Sequence, residues 1–88
     1  MPELCRFGGI VIQMYFKDIE KHHKPHIHVI YNKTHKVIVG IDGKLLAGRK
    51  LPPAIMKKLK AWITLREDEL KSAWDKAVNE KLPNKIKP

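Results

Sequence analysis

Between residues 9 and 17 the chain alternates, with Ile10, Ile12, Met14 and Phe16 on one side and Val11, Gln13 and Tyr15 on the other. Successive side chains of a strand point to opposite faces, so this segment predicts a strand with one apolar and one mixed face. Gly8-Gly9 precedes it as a pliable lead-in. Residues 18–25 are charged, lack periodicity and end in Pro25, which predicts an exposed, mobile loop. Two β-rich runs follow, over about residues 26–32 and 36–42, and predict a hairpin.

Two registers compete for that hairpin, and a shift of one residue exchanges its faces. A two-residue turn at Lys33-Thr34 sets His28 opposite Val39 and His26 opposite Ile41. A three-residue loop, Lys33-Thr34-His35, instead pairs Asn32 with Lys36. Ile27, Val29 and Tyr31 then share a face with Val37, Val39 and Ile41, while His26, His28, Ile30, Ile38, Gly40 and Asp42 gather on the other. The second register separates apolar from polar more cleanly and is adopted. It places Asp42 across from His26 and Gly40 across from His28. Residues 44–47, after Gly43, fit a short fourth strand.

The period changes after Pro52-Pro53, a pair suited to the first helical position. At 100° per residue from Ile55, the residues Leu59, Trp62, Ile63, Leu70, Ala73, Trp74 and Ala77 fall between about −20° and +100°. The phase survives the charged patch Arg66-Glu67-Asp68-Glu69, although Arg66 itself falls inside the apolar stripe. One long helix, straight or kinked there, accounts for this. Thr64-x-x-Glu67 offers the alternative of a capping box that starts a second helix. Pro83 ends the pattern.

These elements predict one α+β domain over residues 1–88, with strands over about 9–47, a helix over about 53–81 and a short tail, 83–88. The architecture is a three- to four-stranded antiparallel β-meander packed on one face by the long C-terminal helix. Eighty-eight residues exclude a large enzyme fold. The single cysteine, Cys5, cannot form an internal disulfide. No run approaches the ~18 apolar residues of a membrane span, and residues 1–4 lack the pattern of a signal peptide. A reduced, cytoplasmic setting is the expectation.

Five histidines fall within the 14 positions from His22 to His35. His26 and His28, two apart on a strand, share a face, with Tyr15 on the neighbouring face beside Gln13. Imidazole donates or accepts a proton near neutral pH, and a carboxylate such as Asp42 can fix its tautomer. The plain readings put His22 and His23 in a solvated loop, His35 in a turn, and His26 and His28 in a structural role. Two strand histidines can also hold a transition metal, but the sequence fixes no third ligand, and no metal or cofactor is expected. Trp62 and Trp74 lie on the apolar stripe as core anchors.

Charge alters the picture further. Lys and Arg number 18 against 9 Asp and Glu, a formal net charge of +9, which argues against a cationic substrate. Arg49, Lys50, Lys57, Lys58 and Lys60 form a stretch of five cations without an acid. Lysines early in a helix oppose its macrodipole, so helix stability does not explain them. Phosphate backbones are the usual partner of such patches. A solvated polar face and an acidic protein partner account for the same residues.

The residues Met1-Pro2-Glu3, Arg6-Phe7-x-Gly9-Ile10, Met14-Tyr15-Phe16 and Lys24-Pro25-His26-Ile27-His28-Val29 together resemble a small prokaryotic family, domain-of-unknown-function family 4160. Ile41-Asp42-Gly43, Leu46-Ala47-Gly48, Leu51-Pro52, Trp62 and Trp74 continue the likeness over nearly the whole chain. The resemblance implies a bacterial cytoplasmic protein encoded beside a second small protein, in a toxin–antitoxin-like pair. It supports the importance of Pro25, His26 and His28 and assigns them no role.

Two classes of function follow as expectations. In the first, a basic member of a toxin–antitoxin-type pair engages RNA, extending to a metal-independent ribonuclease. His26 and His28 then serve as base and acid, with Asp42 and Tyr15 in the same site and the basic stretch on phosphates. In the second, a non-enzymatic module binds nucleic acid or a small cognate protein, and the histidines are structural. A metal-dependent enzyme ranks third. No membrane partner is expected, and self-association stays open.

Overall fold

Gly8 and Gly9 both take positive φ, 52° and 78°, a conformation that costs glycine nothing. Two such residues in succession make the hairpin turn whose twist matches an antiparallel strand pair. The computed structural model, which describes residues 3–15, 24–79 and 81–88, accordingly opens on a hairpin of β1 (Glu3–Phe7) and β2 (Ile10–Gln13). Gly8-Gly9 is thus a turn rather than a lead-in. Phe7 stands opposite Ile10.

Three more strands, β3 (His26–Tyr31), β4 (His35–Gly40) and β5 (Leu45–Ala47), extend one sheet in the order β1-β2-β3-β4-β5, every neighbour antiparallel. The expected meander is present, with five strands instead of three to four. The unforeseen strand is β1, whose alternation is broken where its register slips between Glu3 and Cys5. That bulge lets consecutive Leu4 and Cys5 both be buried. Burial raises the Cys5 thiol pKa, so it packs as a small apolar residue. Strand β2 stops at Gln13, short of the expected end, and residues 16 and 17 lie outside the described residues. So does most of the expected loop, residues 18–23.

The β3–β4 register differs from the expected one by two. Tyr31 pairs with His35 across a loop of Asn32, Lys33 and Thr34, so His26 faces Gly40 and His28 faces Ile38. Asn32 and Lys33 take positive φ, 51° and 69°, a region that asparagine tolerates well. The Asn32 N–H donates to the Gly9 carbonyl at 3.0 Å. Because the shift is even, each side chain keeps its expected face while its partner changes.

The C-terminal stripe forms two helices, α1 (Pro53–Leu65) and α2 (Glu67–Val78), instead of one. They meet at Arg66, with φ −110° and ψ 23°. The Arg66 N–H still reaches the Trp62 carbonyl, and the Leu70 N–H reaches that of Arg66, both at 2.9 Å. Helical phase therefore crosses the break. Thr64 does not cap α2, whose N-cap position is held by Arg66 with no side-chain cap hydrogen bond. The acidic patch is explained instead as the first turn of α2, where Glu67, Asp68 and Glu69 complement the helix dipole. The second helix ends at Val78, before the expected boundary. Asn79 follows it, and the Lys81 N–H closes on the Lys76 carbonyl at 2.8 Å.

Leu59, Trp62, Ile63, Leu70, Ala73, Trp74 and Ala77 are buried, as the periodicity predicts. They form one core with Ile10, Ile12, Ile27, Val29, Val37 and Val39, which are 0–3% exposed. The tail also joins the core. Ile86 is buried and its N–H donates to the Leu4 carbonyl at 2.8 Å, while the Trp62 Nε1–H donates to the Lys87 carbonyl at 2.9 Å. Phe7 packs on Trp62 with ring centroids 5.8 Å apart.

Trp62 thus joins helix, first hairpin and tail. Trp62→Ala is expected to cost about 3–5 kcal/mol, a large share of the ~5–15 kcal/mol that holds a domain folded. A denaturant melt checks it: an alanine variant with a wild-type midpoint would place the indole outside the core.

Candidate nucleic-acid interface

Alternation along β3 sends Ile27 and Val29 into the core and His28 and Ile30 to the opposite face, where they are half-buried. His26 shares their parity, yet it is only 1% exposed. Its ring centroid lies 5.1 Å from that of Trp74 and 5.5 Å from that of His28. Its Nδ1 lies 2.8 Å from the Lys24 carbonyl. A carbonyl only accepts, so the Nδ1–H donates and fixes the tautomer. A main-chain oxygen thus orients His26 where a carboxylate was expected.

Asp42 is engaged elsewhere. Its carboxylate pairs with the Lys24 ammonium and accepts the Lys44 N–H at 3.0 Å. The Lys24 hydrogen bond, followed by that from Lys44, holds the Asp42 carboxyl below its ordinary range. A Cβ on Gly40 would come within 2.6 Å of Asp42 Oδ1, so the carboxylate occupies space that only glycine leaves. The Ile41 N–H donates to the Pro25 carbonyl at 3.1 Å. Together these contacts fasten the start of β3 to the β4–β5 turn.

Tyr15 does reach the histidines. Its ring stacks on His28 with centroids 3.9 Å apart and planes 11° from parallel, and its hydroxyl donates to Gln13 Oε1 at 3.3 Å. The pair forms part of the wall of an open cavity of about 230 Å³, completed by Ile30, Lys36, Ile38 and Ala47. His35 opens β4 instead of lying in the turn, and its Nε2–H donates to the Arg49 carbonyl at 2.8 Å. His22 and His23 lie outside the described residues. Among the described residues no group of three His, Cys, Asp or Glu side chains is placed to hold a metal.

The basic stretch divides. Lys57, Lys58 and Lys60 are exposed on α1, but a two-residue step of about 200° turns Lys58 and Lys60 to opposite flanks. Lys60 lines a concavity of about 430 Å³ with Lys50 and with Lys44, which the sequence did not single out. Lys44 and Lys60 also border an adjoining hollow of about 450 Å³ that includes Asp42, Thr64 and Glu67. None of the three groove lysines is ion-paired among the described residues. Arg49 is exposed beside the groove, in the segment after β5. Lys36 and Lys44 escaped notice because neither belongs to a run of cations: Lys36 meets its neighbours through the β3–β4 pairing, and Lys44 meets Lys50 and Lys60 from the turn before β5.

The Asp42 ion pair gives a pH signature. A carboxyl whose folded pKa is lowered contributes stability above its unfolded value and loses it as pH falls through the folded value. Asp42→Asn is expected to flatten the acid limb of the stability profile and to cost at most about 1 kcal/mol at neutral pH, for a pair this exposed. Denaturant midpoints between pH 7 and pH 3 check it. A variant running parallel to wild type across that range would sever the link.

Comparison with curated proteins and with solved structures finds no match to the chain. A family model described as Domain of unknown function (DUF4160) matches residues 9–75, a span that runs from the β1–β2 turn through the paired rings, the basic groove and most of α2. The chain belongs to that family.

Proposed function

We propose that the protein is a non-enzymatic RNA-binding module, the RNA-contacting member of a toxin–antitoxin-type pair. The observation that carries this reading is the groove in which Lys44, Lys50 and Lys60 converge on a chain of net charge +9. Cations gathered around a concavity attract a phosphate backbone at long range and hold it at short range. The histidines favour binding over cleavage. Acid–base cleavage by two imidazoles requires both to come within about 2.6–3.2 Å of the substrate, and His26 is packed under Trp74 and held by the Lys24 carbonyl.

Fluorescence anisotropy with a labelled single-stranded RNA tests the proposal. Each phosphate contact contributes about 0.7 to the slope of log affinity against log salt. The triple change Lys44→Gln, Lys50→Gln, Lys60→Gln is therefore expected to flatten that slope by about two units, and Lys58→Gln, on the opposite flank, to leave it unchanged. The RNA should be recovered intact. Absence of binding at low salt, or a triple variant with the wild-type slope, would overturn the reading. Cleavage abolished by His28→Ala would replace it with the ribonuclease.

A further inference from the structure

The face of the sheet turned away from the helices carries Val11, Gln13, Tyr15, His28, Ile30, Lys36, Ile38 and Ala47, as strand parity requires. At one end of this face Trp74 of α2 covers His26, which has the same parity; further along, the side chains from His28 to Ala47 surround an open cavity. That cavity has an apolar lining from Ile30, Ile38 and Ala47, an aromatic wall from the Tyr15–His28 stack, and the exposed Lys36 at its border. We propose that this cavity takes one unpaired nucleobase of the bound RNA, with the adjoining phosphate against Lys36. The inference rests on the RNA-binding reading and names the form of RNA recognised.

Size, shape and charge each narrow the occupant. About 230 Å³ falls below the ~300–1,000 Å³ of sites that enclose whole small molecules, and it suits a single planar ring. Aromatic side chains on an open sheet hold unstacked bases, since every base has a π-face. The hydrogen bond from Tyr15 to Gln13 sets the ring in place beforehand, so little order need be imposed on binding. None of the lining residues is acidic, which favours a polyanion over a second copy of this basic chain. A duplex keeps its bases inside its own stack and cannot offer one.

The cavity and the basic groove lie to either side of the chain that follows β5. The cavity lining ends at Gly48, two residues before Lys50. A Cβ on Gly48 would come within 2.9 Å of the Lys36 carbonyl oxygen and 3.0 Å of Val37 Cα, so glycine lets the end of β5 close against β4. In the proposal, a single strand held at Lys50 passes over the exposed Gly48 to reach the cavity.

Two oligonucleotides separate the proposal from the reading beneath it. One is a single-stranded RNA with 2-aminopurine at one position; the other is the same strand annealed to its complement. Wild type is expected to quench the 2-aminopurine fluorescence of the single strand and to bind it more tightly than the duplex. Tyr15→Leu should weaken single-strand binding about tenfold, the scale of one lost base stack, and leave duplex affinity and salt slope in place. Tyr15→Phe, which keeps the ring, should recover most of that loss. Ala47→Phe, which fills the cavity from the opposite wall, should abolish the quench in a chain whose melt remains cooperative. Equal affinity for both oligonucleotides, with no quench and no response to Tyr15→Leu or Ala47→Phe, would overturn the base cavity while the salt slope upheld RNA binding. Failure to bind either RNA at low salt would remove both.

Discussion

The sheet and both helices share a single core, so the inward residues of every strand are committed to it. Hydrophobic burial therefore acts as a sorting rule as well as a source of stability. Ile10, Ile12, Ile27, Val29, Val37 and Val39 must all face the helices, and each inward residue fixes an outward neighbour. Tyr15, His28, Lys36 and Ile38 are brought together by that rule, although no two of them adjoin in sequence. The composition of the outer face follows from the packing of the inner one.

The same rule explains what could be read without coordinates. Parity was legible, so His26 and His28 were expected on one side with Tyr15 close by, and the structure brings their rings together. Register was not. Hydrophobic alternation has period two, and a slip of two residues leaves every apolar position on its proper face. Asp42 was consequently set opposite His26, when it belongs to Lys24 and the turn. Only the loop conformation at Asn32 and Lys33 distinguishes the two registers, and that signal resides in backbone angles.

Helical phase shows a similar blindness. A break of one residue at Arg66 keeps the apolar stripe aligned, so periodicity cannot tell one helix from two. The acidic run that begins α2 is the informative feature, since three carboxylates suit a helix start better than its middle. Strand β1 was hidden for the opposite reason. Its bulge destroys the alternation by burying Leu4 beside Cys5, although the Gly-Gly pair after it is a strong hairpin signal.

The tail that returns to β1 has a consequence for the borders of the sheet. An uncovered border strand presents main-chain groups that invite a strand from another molecule. At one border, the Ile86 N–H occupies the Leu4 carbonyl and Ile86 itself packs into the core. At the other, β5 is three residues long and is followed at once by Gly48, Arg49 and Lys50. One side is thus partly sealed by the chain's own end, and the other is short and flanked by positive charge. The protein can leave an apolar, aromatic sheet face open to a ligand while giving a neighbouring sheet little edge on which to grow.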